Sequence, residues 1–140
     1  MRLVLDTNVV VSALLWGGLP HRLIEAAAAG DVDLVASPTL LAELHEVLAR
    51  RHLASRLVQQ ASTVEQAIAL YAELAVVVSP ANTPRVVPGD ADDDHVIAAA
   101  VAGGAELIVS GDRHLLGLGR HQGIAIVDAA EAVRRLAAAK

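Results

Sequence analysis

The chain has 140 residues and a mass of 14.5 kDa, the scale of one domain (1–140) that buries roughly two thirds of its unfolded surface. Hydrophobic residues make up 54% and aromatics 1%, so Ala, Val, Leu and Ile must fill the core, and a disordered chain is excluded. Eleven basic residues against sixteen acidic ones leave −5, too anionic for nucleic-acid binding by clustered cations alone. Without cysteine there are no disulfides, thiolate nucleophiles or cysteine metal sites. Charges interrupt every apolar run before the ~20 residues of a membrane helix, and Asp6 and Asn8 spoil the apolar start as a signal peptide. The expectation is a soluble, cytoplasmic protein.

Arg2-Leu3-Val4-Leu5 is a short apolar run that stops at Asp6, the pattern of a buried strand. Gly17-Gly18-Leu19-Pro20 breaks the chain, and helical character follows over 21–29, up to Gly30. Residues 32–36 read as a second strand. Ser37-Pro38 is a helix start, with serine as cap and proline in the first turn. That helix carries Leu40, Leu41, Leu44, Val47 and Leu48 on one apolar stripe. Residues 53–75 predict one or two further helices, 76–78 a strand, and 80–93 a loop. An alanine-rich helix over 95–102 closes at Gly103-Gly104. Strands over 107–109 and 124–127 and a helix over 129–139 complete the chain. This alternation predicts an α/β domain of three layers around a mostly parallel sheet.

Sixteen acids are ordinary in number, so their positions carry the argument. Asp6 ends one strand, and Asp112 follows another through Ser110-Gly111. The carboxyl ends of parallel strands share one edge, where ligands bind. Two carboxylates brought there repel unless a proton or cation lies between them. The bland alternative is that each caps the helix after it. Glu43 falls about 95° from the centre of its helix's apolar stripe and Glu46 about 155°, which places Glu43 at the core boundary and Glu46 in solvent. Asp90-Ala91-Asp92-Asp93-Asp94 packs four acids into five residues before a helix, more than a cap requires. It is not a calcium loop, because His95 stands where its glycine belongs and Val101 where its closing Glu belongs. The glycines of 117–123 have the wrong spacing for a dinucleotide fingerprint, and there is no His-Glu-x-x-His pair and no nucleophile elbow.

Leu5-Asp6-Thr7-Asn8-Val9, Ser37-Pro38 leading to Glu43, Asp92-Asp93-Asp94 opening a helix, and Ser110-Gly111-Asp112 after a strand come in the order of the PIN-domain family. The chain resembles that family over nearly its whole length. The stretch from Asn8 to Pro20 resembles its VapC-like toxin branch. The resemblance implies a five-stranded parallel sheet flanked by helices. It maps the family's acids onto Asp6, Glu43, Asp94 and Asp112, with Asp6, Asp94 and Asp112 as metal ligands. Asp92 and Asp93 are the alternatives to Asp94, and Asn8 and Ser110 would orient Asp6 and Asp112. Where many relatives carry a further acid, this chain has Arg113-His114.

Hard oxygen ligands of this kind suit Mg²⁺ or Mn²⁺, and such ions stabilise in-line displacement at phosphorus. The resemblance therefore implies a metal-dependent ribonuclease cutting RNA, the toxin of a toxin–antitoxin pair. A small antitoxin protein and a second copy of the chain would be its partners. Arg22, Arg50, Arg51, Arg85, Arg113 and Arg120 are candidate phosphate contacts, and Trp16 a candidate for base stacking or partner contact. Two other readings compete with this one. A phospho-aspartate hydrolase needs a lysine beside its aspartate, and the single lysine is Lys140. A catalytically inactive PIN scaffold that binds protein or RNA would keep the fold without turnover.

Overall fold

The computed structural model describes residues 1–83, 86 and 91–139, residues 91 and 92 by their backbone alone. Strand β1 (Arg2–Leu5) pairs in parallel with β2 (Asp33–Ala36) on one side and β4 (Leu107–Val109) on the other. Strand β3 (Ala75–Val77) extends the sheet beyond β2, and β6 (Ile124–Val127) extends it beyond β4. A two-residue strand, β5 (Arg120–His121), runs antiparallel along the outer edge of β6. The order is thus β3-β2-β1-β4-β6-β5. The sheet has six strands where five were expected. The added strand is the leading arm of a tight hairpin with Gln122 and Gly123 at positive φ, too short to leave an apolar pattern.

Alternation along the strands divides the core between the two faces of the sheet. Leu3, Leu5, Leu34, Ala36, Leu107, Val109, Ala125 and Val127 point to one face. They meet apolar residues of α1 (Thr7–Leu15), α2 (Gly18–Ala28), α3 (Pro38–Leu48), α5 (Val64–Leu74) and α8 (Ala129–Ala139). Val4, Val35, Ile108, Ile124 and Ile126 point to the other, against Val96, Ile97, Ala99 and Ala100 of α6 (Ala91–Ala102) and Leu115 of α7 (Arg113–Leu118). The small side chains of α6 let it lie close on β1 and β2. A Cβ built on Gly103, just past its end, would stand 2.5 Å from Val35 Cγ1.

Local chemistry sets the helix ends. Ser37 Oγ accepts from Leu40 N at 3.2 Å, with Pro38 in the first turn. Thr63 and Gln66 form a reciprocal capping box on α5. Arg56 and Gln60, on and just after α4 (Arg51–Gln59), both donate to Leu15 O at the end of α1. Two expectations shift in this frame. Residues 7–15, given no element by their pattern, are helix α1. Helix α6 begins at Ala91 rather than His95, so part of the expected loop is its first turn. Among the described residues, no helix is long and apolar enough to cross a membrane.

Candidate active site

The carboxyl ends of β1 and β4 deliver Asp6 and the Ser110–Asp112 segment side by side. Asp6 is buried at 8% exposure, and Asp6 N donates to Val109 O at 2.9 Å, which fixes the two strand ends together. Ser110 is fully buried between the two acids. Its hydroxyl donates to Asp6 Oδ2 at 2.7 Å and accepts from Asp112 N at 2.9 Å. Asp6 Oδ1 accepts from Thr7 N, and Asp112 Oδ1 accepts from His114 N and Leu115 N. Each aspartate thus caps its helix, α1 or α7, and also faces the same cleft.

That cleft, of about 200 Å³, is lined by Asp6, Thr7, Asn8, Glu43, Val47, Arg50, Asp93 and Asp112. Four carboxylates therefore meet from four separated stretches of chain. Glu43 is half-buried and Glu46 exposed, as the position of each on α3 predicts. Asp6, Asp93 and Asp112 each stand at the N-terminal end of a helix. The positive ends of α1, α6 and α7 converge there and offset part of the mutual repulsion, typically ~0.3–1 kcal/mol for each acid.

Of the expected site residues, Asp6, Asn8, Glu43, Asp93 and Asp112 line the cleft, and Ser110 holds two of them from behind. Asp94 is 1% exposed and is not among the lining residues; its Oδ1 accepts from Val86 N at 2.8 Å. The side chain of Asp92 lies outside the described residues, as does Arg85.

His114 brings its Nδ1 to 3.4 Å from Asp112 Oδ1. Asp93, Asp112 and His114 each offer a ligand atom, all within 4.8 Å of one another. Carboxylate oxygens backed by one imidazole fit a divalent cation such as Mn²⁺ or Mg²⁺. The sequence did not single out Thr7, whereas Arg50 is one of its six candidate phosphate contacts. Glu43 and Val47 lie one turn apart on α3, and Arg50 follows just past its end. A larger hollow of about 610 Å³ lies at the opposite end of the strands, beside Met1, Arg22, Ala26, Val133 and Leu136, and gathers no such cluster.

A family model for the PIN domain matches residues 2–114, a stretch that contains every cleft residue named above. The chain belongs to the PIN domain family. No curated protein matches it. PIN domains are nucleases in general, so membership points to a nuclease-type hydrolytic function.

Proposed function

We propose that residues 1–140 form one PIN-like domain acting as a divalent-metal-dependent endoribonuclease, with Asp6, Glu43, Asp93 and Asp112 as its acidic set. The observation that carries this reading is the meeting of those four carboxylates in one polar cleft at the carboxyl edge of the sheet. Asp93 here takes the role that the sequence alone gave to Asp94, because Asp93 faces the cleft while Asp94 holds the Val86 amide. Mg²⁺ or Mn²⁺ would be held by Asp6, Asp93 and Asp112, with His114 beside them. When bound, such an ion lowers the pKa of water and neutralises charge on a phosphodiester in displacement. Ser110 and the Thr7 amide hold Asp6 in a fixed orientation, and Glu43, on a different helix, faces the same space and orients the attacking water. No lysine or cysteine nucleophile is required.

By the same reading the RNA is single-stranded or looped, and the enzyme is the toxin of a toxin–antitoxin pair. A small antitoxin covers the acidic cleft, a second copy of the chain forms a dimer, and the protein works in the cytoplasm. These assignments rest on the VapC-like pattern over Asn8 to Pro20. The test is RNA cleavage by chelator-stripped protein with Mg²⁺ or Mn²⁺ restored, beside Asp6→Asn. Cleavage is expected to return with metal in the wild type and to stay absent in the variant. No cleavage and no metal binding by the wild type, over several RNAs, would instead make the chain a binding scaffold. Equal cleavage by both proteins would show that Asp6 has no catalytic role.

A further inference from the structure

Among the described residues, the cleft has one cationic lining residue. Arg50 stands where α3 has ended and α4 begins, and its side chain is exposed. Its backbone is engaged, with N donating to Val47 O and O accepting from Leu53 and Ala54. Its guanidinium makes no hydrogen bond or ion pair among the described residues, although four carboxylates share its cleft. Other arginines in this molecule are committed. Arg56 donates to Leu15 O and lies 4.8 Å from the Trp16 ring, Arg134 and Arg135 both hold Glu131, and Arg2 donates to Gly103 O. Arg51 is exposed beside Arg50 and does not line the cleft.

Electrostatics gives this placement a consequence. Among the described lining residues four carboxylates stand against one guanidinium, so acidic groups predominate in the cleft. A polyanion approaching it meets net repulsion unless a cation receives it at the rim. An arginine serves that purpose, because its planar fork of N–H donors matches two phosphate oxygens at once. The geometry points to Arg50 as the residue that binds a backbone phosphate of the nucleic acid next to the one being cut, so it positions the strand over the four acids. This rests on the nuclease reading given above and adds a substrate contact to it.

The experiment uses the full chain with a labelled single-stranded RNA oligonucleotide. Binding is measured in chelator, where no cleavage occurs, at several KCl concentrations, for wild type, Arg50→Ala, Arg50→Lys and Arg51→Ala. Steady-state cleavage with metal restored follows on the same four proteins. Arg50→Ala is expected to weaken binding about fivefold at low salt, the size of one partly solvated charged contact. Its slope of log affinity against log salt should be shallower by about 0.7, one phosphate's worth for a single strand. KM should rise by a similar factor with kcat kept within about twofold. Arg50→Lys should recover part of the loss, and Arg51→Ala should leave slope and KM near wild type. A fall in kcat with KM unchanged, an unaltered salt slope, or equal losses in Arg50→Ala and Arg51→Ala would each overturn the assignment. In all three cases wild-type cleavage would stand. Failure of the wild type itself to bind or cut RNA would remove the nuclease reading, and this contact with it.

Discussion

Replacing Ser110 with alanine tests whether the two strand-end aspartates are held as a unit. The side chain is fully buried, so its removal cannot be repaired by bulk water. Two bonds go at once: the hydroxyl that donates to Asp6 Oδ2 at 2.7 Å, and the oxygen that accepts from Asp112 N at 2.9 Å. A hydrogen bond to a charged group is worth about 1.5–3 kcal/mol, and an orphaned amide adds about 1 kcal/mol. The expected loss is therefore about 3 kcal/mol, a large share of the roughly 5–15 kcal/mol of a whole domain. At ~2.1 cal/mol/K per residue, a chain of this length unfolds with about 0.3 kcal/mol/K, so Tm should fall by about 10 °C. The assay is thermal unfolding by circular dichroism on chelator-treated protein, which keeps metal binding out of the comparison. A fall below about 3 °C would show that Asp6 and Asp112 do not depend on this serine, and would refute the linkage between the two strand ends.

Mn²⁺ at a hundredfold excess over Kd is expected to raise the Tm of the wild type by about 9 °C, and Asp93→Asn should abolish that rise. Asp94→Asn should keep that rise yet lower the metal-free Tm, because Asp94 is buried on the Val86 amide; the reverse pattern would make Asp94 the ligand. Tyr71 is the chain's one tyrosine, and burial pushes its phenol well above the ordinary value of 10.0. The folded protein holds the phenol protonated while the unfolded chain ionises it, so this stability is complete below pH 10 and is lost as pH rises beyond it. Stability against pH should fall less steeply above 10 in Tyr71→Phe, and phenolate absorbance in the wild type should appear only with unfolding. Reversible titration near 10 in folded protein would contradict this. Gly103→Ala should cost about 1–3 kcal/mol through its clash with Val35, and Val35→Ala should recover part of that in a double-mutant cycle.

How much of this was legible depended on periodicity. The strands at 2–5, 33–36, 107–109 and 124–127 were plain because buried parallel strands are short apolar runs with sharp ends. Helix α3 announced itself through Ser37, Pro38 and a single apolar stripe. Helix α1 did not, for a physical reason: Val9, Val10, Val11, Ala13 and Leu15 are all buried, so the helix is apolar on most sides and has no amphipathic period. Three consecutive valines also favour a strand locally, and tertiary packing overrode that preference. At the site, Asp6, Glu43 and Asp112 could be picked by position alone. The choice within Asp92-Asp93-Asp94 could not, since adjacent residues on a helix point about 100° apart and the phase depends on where α6 starts. That start, at Ala91, lay inside the predicted loop. Capping does not exclude a place in the cleft, because Asp6 and Asp112 each cap a helix and also line it.

The position of β1 has a consequence for how the molecule comes into being. This strand lies at the centre of the sheet and is made first, yet its register Leu3 to Leu107 joins segments about a hundred residues apart. Contacts that distant in sequence close slowly, since the loop entropy must be met before the pairing rewards it. Until β4 arrives, Asp6 has neither the Val109 carbonyl that receives its amide nor the Ser110 hydroxyl. A nascent chain therefore carries its acids scattered, and the cleft assembles only with the second half of the sheet. Proteolysis or truncation between β3 and β4 should leave fragments in which the four carboxylates of the cleft no longer meet.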